Sequence, residues 1–249
     1  MSKYTDINAA TIDKWIEDGW EWGKPITHEK YMAVFEGKWD QYLTPMRPVP
    51  HEWFGELRGA KVLGLACGGG QQMPIFAALG AECTVLDYSP RQLDSERFVA
   101  EREGYEIDIV RADMTERLPF EDESFDIIFH PVSNCYIEDV SHVWREFYRI
   151  LKKGGILLAG LDNGIAYAFN DEKTELIQRL PYNPLKDPKL MEEAVKAGDG
   201  VQFSHSIEEQ VDGQIREGFT LTNIYQDTDG YGRFEEYQVP TFWVTRAVK

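Results

Sequence analysis

The chain has 249 residues, 43% of them apolar, which is enough for one substantial core with additions but short for two independent domains. Its 26 lysines and arginines face 43 aspartates and glutamates, a formal charge of −17, so it holds no general attraction for a phosphate backbone and nucleic acid is not the expected partner. No window nears the roughly 20 apolar residues of a membrane span, the start has no signal-like pattern, and Cys67, Cys83 and Cys135 share no CxxC spacing; the expectation is a cytoplasmic protein with no membrane partner, disulfide framework or metal.

Residues 1 to 58 differ in character from the rest of the chain. They carry Trp15, Trp20, Trp22, Trp39 and Trp53, and Pro45, Pro48 and Pro50 make a stiff link into residue 59 and beyond. They read as an N-terminal helical cap, with Gly19-Trp20-Glu21-Trp22-Gly23 placing two aromatics beside flexible points. Residues 59 to 249 read as the main domain. From Lys61 to Leu161 short apolar runs alternate with helical spacing: Lys61 to Ala66, Cys83 to Asp87, Ile107 to Arg111, Phe125 to His130 and Gly155 to Leu161. Such alternation implies parallel strands and right-handed crossovers, hence an α/β fold.

The first run breaks into Ala66-Cys67-Gly68-Gly69-Gly70-Gln71-Gln72 before a helix begins near Met73. Glycines at a strand-to-helix turn let the backbone pass close to a ligand, and in an open α/β sheet that ligand sits beyond the carboxyl ends of the strands. The second run ends at Asp87-Tyr88, where a carboxylate can accept both hydroxyl protons of a ribose. Ser89-Pro90 then opens a helix. The third run leads to Asp113-Met114, where an acid can accept from an adenine amino group while the apolar side chain packs on the ring. Leu118 to Phe129 holds a polar turn into the fourth run. After it comes His130-Pro131-Val132-Ser133-Asn134-Cys135-Tyr136, in which His130 is the first candidate for a base or orienting group and Tyr136 the second.

Gly154-Gly155 is expected to close the helix through Trp144 and Leu151. Residues 164 to 203, punctuated by Pro181, Pro184, Pro188 and Gly198-Asp199-Gly200, read as a lid-like insertion. Ser206 and Glu209 form a capping box for a helix ending near Gly218, and Phe219 to Tyr225 and Phe242 to Ala247 complete a set of seven strands.

Taken in this order, the glycine loop, Asp87, Asp113-Met114, the Leu118 to Phe129 segment and the Leu151-Lys152-Lys153-Gly154-Gly155 turn resemble those of the class I S-adenosylmethionine-dependent methyltransferases, closest to the small-molecule group of the ubiquinone and menaquinone biosynthesis enzymes. The resemblance covers Lys61 to about Leu161. It implies a Rossmann-like seven-stranded, mostly parallel sheet of order 3-2-1-4-5-7-6 with the last strand antiparallel and helices on both faces. The implied cofactor is S-adenosyl-L-methionine, with contacts from Ala66, Cys67, Gly68, Gly70, Asp87, Tyr88, Asp113, Met114 and His130, and the implied acceptor is a small molecule. This chain departs from the pattern at Gly64, where the family has an acid, and at Ala66, where it has glycine; residues of the cap and backbone near Gly68 are expected to substitute. A catalytically inactive cofactor-binding protein is the rival of a different kind. An NAD-dependent oxidoreductase is the lesser one, because the loop lacks the last glycine of the dinucleotide pattern. The sequence specifies neither the methyl acceptor nor an oligomeric state.

Overall fold

A computed structural model describes residues 3–249. Two helices lie in the first 58 residues, α1 (Tyr4–Glu17) and α2 (His28–Val34). The alternating region comprises β1 (Lys61–Leu65), α3 (Met73–Ala78), β2 (Glu82–Asp87), α4 (Pro90–Glu103), β3 (Ile107–Arg111), β4 (Phe125–His130), α5 (Val140–Ile150) and β5 (Leu151–Asp162). Beyond it come α6 (Pro188–Ala197), α7 (Gly213–Glu217), β6 (Thr220–Asp227), α8 (Gly232–Glu236) and β7 (Phe242–Val248). The strands form one seven-stranded sheet in the order β3-β2-β1-β4-β5-β7-β6. Pairing is parallel from β3 through β5, and β7 runs antiparallel to both β5 and β6. This is the order and orientation the resemblance implied.

Alternate residues of the central strands feed two cores, as the period of two requires. Leu63, Leu65, Ile128 and Leu157 face the layer built by Val143, Trp144 and Phe147 of α5. Val62, Ile127, Phe129 and Leu158 face Met73 and Phe76 of α3, together with Leu43, Val49 and Phe54 from the N-terminal segment. Each large apolar side chain removed from water here contributes about 1.5–3 kcal/mol. The first 58 residues thus belong in part to the main core. Among the described residues no helix is long and apolar enough to cross a membrane.

Helix starts follow the sequence signals. The Ser89 side chain accepts from the Gln92 N–H at 3.1 Å, and Ser206 and Glu209 exchange hydrogen bonds of 2.8 and 3.2 Å. That box opens a single wide turn at Glu208–Asp212 before α7, which stops at Gly218 with φ of 112°. The Gly154-Gly155 expectation is corrected: α5 ends at Ile150, and β5 begins at once with Leu151. The N–H groups of Glu123 and Ser124 take the Arg149 and Ile150 carbonyls at 3.0 and 2.7 Å, so the helix end is satisfied without a glycine cap. Gly154 instead turns within the long strand, its N–H on the Lys249 carbonyl.

Candidate active site

At the carboxyl end of β1 the chain turns through Ala66 in the left-handed conformation, φ 49°, at the position where the family pattern has glycine. Three successive N–H groups of the loop are then taken up inside the protein. Gly68 donates to Asp87 Oδ2 at 3.1 Å, Gly69 to the Gln92 carbonyl at 3.0 Å and Gly70 to Glu96 Oε1 at 2.7 Å. A loop that cradles a pyrophosphate must leave such donors free, so this one is built for close approach and not for phosphate. A Cβ on Gly68 would lie 2.5 Å from Gln92 Cβ and 3.0 Å from Asp87 Oδ2, which is why the loop and the first turn of α4 can meet.

Asp87 is buried, and each carboxylate oxygen holds one backbone donor: Gly68 N–H on Oδ2 and Ser89 N–H on Oδ1 at 2.9 Å. Burial pushes its pKa up to about 6, and the backbone donors oppose that rise. Each oxygen keeps acceptor capacity for a hydroxyl. Glu96, one turn beyond Gln92 on the same face of α4, is fully buried, and burial lifts it to about 8. It holds Gly70 from behind the loop. Gly70 was expected to touch the cofactor; both its backbone groups are engaged, the carbonyl accepting from Ile26 at 2.9 Å.

Asp113 and Tyr88 are likewise occupied. Asp113 Oδ2 accepts from Thr5 at 2.7 Å and pairs with Lys3 at 2.9 Å, and its Oδ1 takes the Thr115 N–H and hydroxyl. Burial works against its ionisation, but Lys3, Thr115 and Thr5 hold its carboxyl below the usual range. Asp113, expected to accept from adenine, is bonded here to Thr5 of α1 and to Lys3 just before it. Tyr88 gives its hydroxyl to Asp6 of the same helix at 2.7 Å, and Met114 packs against the α5-side core. Asn8 completes the strap, donating to the Tyr136 and Val201 carbonyls and accepting the Val201 N–H at 2.6 Å.

His130 is fully buried, with Nδ1 3.0 Å from the Leu65 carbonyl and Nε2 2.8 Å from Asn134 Oδ1. Burial lowers its pKa. With both ring nitrogens engaged by protein groups, it ties the tips of β1 and β4 together. Asn134 continues the network to Gln210 at 2.9 Å. His205 is held by the Asn134 and Ile137 carbonyls, and His28 pairs with Glu103.

What the tips of β1 and β4 do enclose is a chamber of about 210 Å³. Ala66, Cys67 and Gly68 form one wall and Pro131, Val132, Cys135 and Tyr136 another, while Trp20, Trp22 and Tyr42 of the N-terminal segment close it. Its polar groups are Thr44 and the amides of Gln71, Gln72 and Gln92, with no charged side chain among the lining residues described. Burial raises the pKa of Cys67, Cys135, Tyr136 and Tyr42, so all four are protonated at neutral pH. Trp22, Tyr42, Pro45, Gln71 and Gln72 also line a wider basin of about 670 Å³ that carries Lys24, Lys30 and Lys38. Gln92 and Glu96 escaped the sequence reading, although the Ser89-Pro90 start fixes both on the helix face nearest the loop.

Comparisons with known proteins agree with this geometry. A methyltransferase-domain family model matches residues 63–159, from β1 into β5. An uncharacterized methyltransferase of Bacillus subtilis, YbaJ, is 41% identical, with 100% of both chains covered. A ubiquinone biosynthesis O-methyltransferase of Xanthomonas euvesicatoria is 30% identical across 57% of this chain and 62% of its own length. Among solved structures, an S-adenosylmethionine-dependent methyltransferase of Mesorhizobium loti matches with a TM-score of 0.64 at 22% identity, covering 80% of this chain and 94% of that one, a likeness of fold. Full-length identity to a methyltransferase, the matched domain, and a sheet with this strand order and a non-phosphate glycine loop converge: the chain belongs to the class I S-adenosylmethionine-dependent methyltransferases.

Proposed function

We propose that this chain methylates a small, uncharged or aromatic-bearing acceptor that enters the chamber from the lysine-bearing basin. The observation that carries this reading is the chamber itself: about 210 Å³, walled by rings and neutral amides. A macromolecular chain would have to displace Trp20 and Trp22 to bring a reacting atom inside. On this reading residues 1 to 58 act as a cap, and residues 164 to 203 as an insertion that braces α1 through Val201.

The residues around the glycine loop suit the cofactor. The missing side chains of Gly68 and Gly69 let the loop lie against Gln92 and Asp87, Asp87 keeps acceptor capacity for ribose hydroxyls, and Gln92 has a buried, unpartnered Oε1. S-adenosyl-L-methionine when bound supplies an activated methyl group on a sulfonium whose charge aromatic faces favour. The protein's own contribution is to orient the acceptor, exclude water and offer the Trp20, Trp22 and Tyr136 rings to that charge. Every titratable side chain on the chamber wall is protonated at neutral pH, so a proton leaving the acceptor passes to solvent. His130 and Asn134 act as positioning residues for the two strand tips.

The test is incubation of the protein with tritiated S-adenosylmethionine and a cell extract separated by size. Label should appear in small molecules; label confined to protein or nucleic acid would overturn the reading.

A further inference from the structure

Charge is distributed unevenly between the chamber and the basin outside it. The chamber has no charged side chain among its described lining residues, whereas the basin of about 670 Å³ carries Lys24, Lys30 and Lys38. Trp22, Tyr42, Pro45, Gln71 and Gln72 line both spaces, so a single elongated ligand reaches from one into the other. The basin falls within the roughly 300–1,000 Å³ of sites that take small organic ligands.

The fold fixes the lysines at this place. Gln71, directly after the glycine loop, donates from Nε2 to the Glu21 and Lys24 carbonyls at 2.8 and 2.9 Å, which pins the Lys24 backbone beside the chamber. The Ile26 N–H on the Gly70 carbonyl at 2.9 Å holds the next stretch, and α2 follows with Lys30. Lys38 is committed to Glu36 at 2.7 Å, but Lys24 and Lys30 have no carboxylate within 4.0 Å among the described residues. Glu21 and Asp40 are the acids of the basin, and Asp40 lies 3.6 Å from His51 Nε2. Lysines thus outnumber acids on this wall, in a chain whose acids outnumber its lysines and arginines by 43 to 26. Ile26, Val34, Trp39 and Ile75 make the same lining apolar. A concave apolar wall keeps water back and focuses the field of the charges at its edge, which favours a ligand with an apolar body and an anionic end.

We propose that the acceptor is an amphipathic anion: its uncharged or aromatic end enters the chamber and is methylated, while a carboxylate or phosphate at its other end pairs with Lys24 and Lys30. The inference rests on the proposed methylation of a small molecule and names the class of that molecule. A lysine ammonium is a point charge without a planar preference, so it accepts either anion. Both lysines act on acceptor binding and stand apart from the reacting atoms.

The test is to incubate the protein with methyl-tritiated S-adenosylmethionine and the protein-free, small-molecule fraction of a cell extract, and to pass the products over an anion exchanger at neutral pH. S-adenosylmethionine carries a net positive charge and washes through; the labelled product should be retained. Phosphatase treatment of that product separates the two anions, release marking a phosphate ester and continued retention a carboxylate. In the double variant Lys24→Glu with Lys30→Glu, the labelling rate should fall by about tenfold while calorimetric affinity for S-adenosylhomocysteine stays unchanged, and Lys24→Arg with Lys30→Arg should keep the rate. The unaltered protein should also slow between about 0.01 M and about 1 M salt, as the Debye length shrinks from about 30 Å to about 3 Å, and the glutamate variant should lose that dependence. A labelled product that passes the exchanger unretained overturns the anionic acceptor and leaves small-molecule methylation standing, as does an unchanged labelling rate in the glutamate variant. No labelled small molecule at all overturns the proposed function and this inference with it. The charge of the product decides the matter even if a variant fails to fold.

Discussion

At Asp87, burial and two backbone donors oppose each other, and burial prevails: the carboxyl titrates near 6 and not in its usual range. On the proposed reading the ionised form is the better acceptor for the two ribose hydroxyls. Protonation therefore competes with binding, and S-adenosylhomocysteine affinity should fall as pH drops below about 6, by about tenfold per unit once the group is protonated. Calorimetry between pH 5 and pH 8 measures this, and Asp87→Asn should bind weakly with no such dependence. A second pair of residues tests the loop geometry. Ala66 holds a left-handed φ of 49°, so Ala66→Gly should raise stability by up to about 1 kcal/mol, while Gly64→Asp, whose side chain would drive into Met73, should lower it by more than about 3 kcal/mol in urea denaturation.

Among the elements, α1 is the one whose attachment is polar. It is fastened by Thr5 and Lys3 on Asp113, Asp6 on Tyr88, Asn8 on Val201 and Tyr136, and the Trp15 indole on the Gly198 carbonyl at 3.1 Å. Only Ala9 among its apolar residues is fully buried, so the helix can leave the sheet without exposing much of the core. Asn8→Ala removes three hydrogen bonds at once and leaves the Val201 N–H and carbonyl unpaired, at about 1–3 kcal/mol. The expected result is faster proteolysis of residues 1 to 40 with little change in the global unfolding midpoint. Cleavage at an unchanged rate would show that α1 is held by something other than these bonds.

For the whole molecule, the sign of the pH dependence of stability follows from three buried carboxyl groups. Asp87 and Asp162 are raised to about 6 and Glu96 to about 8, all chiefly by burial. Between 4.5 and about 8 the folded protein keeps a proton on Glu96 that the unfolded chain has released, so stability falls as pH rises through that window. The formal charge of −17 acts in the same direction, because self-repulsion grows as carboxyl groups ionise. At the acid end, Asp113, Asp126, Asp139 and Glu146 are held below their usual range, and their contribution is lost as pH falls through their folded values. Melting temperature at constant ionic strength should therefore peak at about pH 4–5 and decline toward pH 9. Glu96→Gln, which can still accept from Gly70, should raise it more at pH 9 than at pH 5; an equal shift at both would remove Glu96 as the cause.

Local order in the chain determined the strands, their alternation with helices, the Ser89 and Ser206 helix starts, and the placing of the Ala66 to Gly70 loop and Asp87 at the sheet's carboxyl edge. These depend on side-chain period, on φ preferences and on short-range hydrogen bonds, all of which act between near neighbours in sequence. The end of α5 was already beyond that reach, since its last carbonyls are satisfied by Glu123 and Ser124 across the fold. Only the tertiary structure decided which polar groups remain free. Asp113 and Asp87 look alike as acids after apolar runs, yet α1, more than 100 residues upstream, bonds the first, while the second is held by the nearby Gly68 and Ser89 N–H groups. The His130 ring nitrogens went to the Leu65 carbonyl and Asn134 in the same way. A hydrogen bond is settled by whichever group arrives at about 3 Å, and that depends on packing between segments distant in the chain.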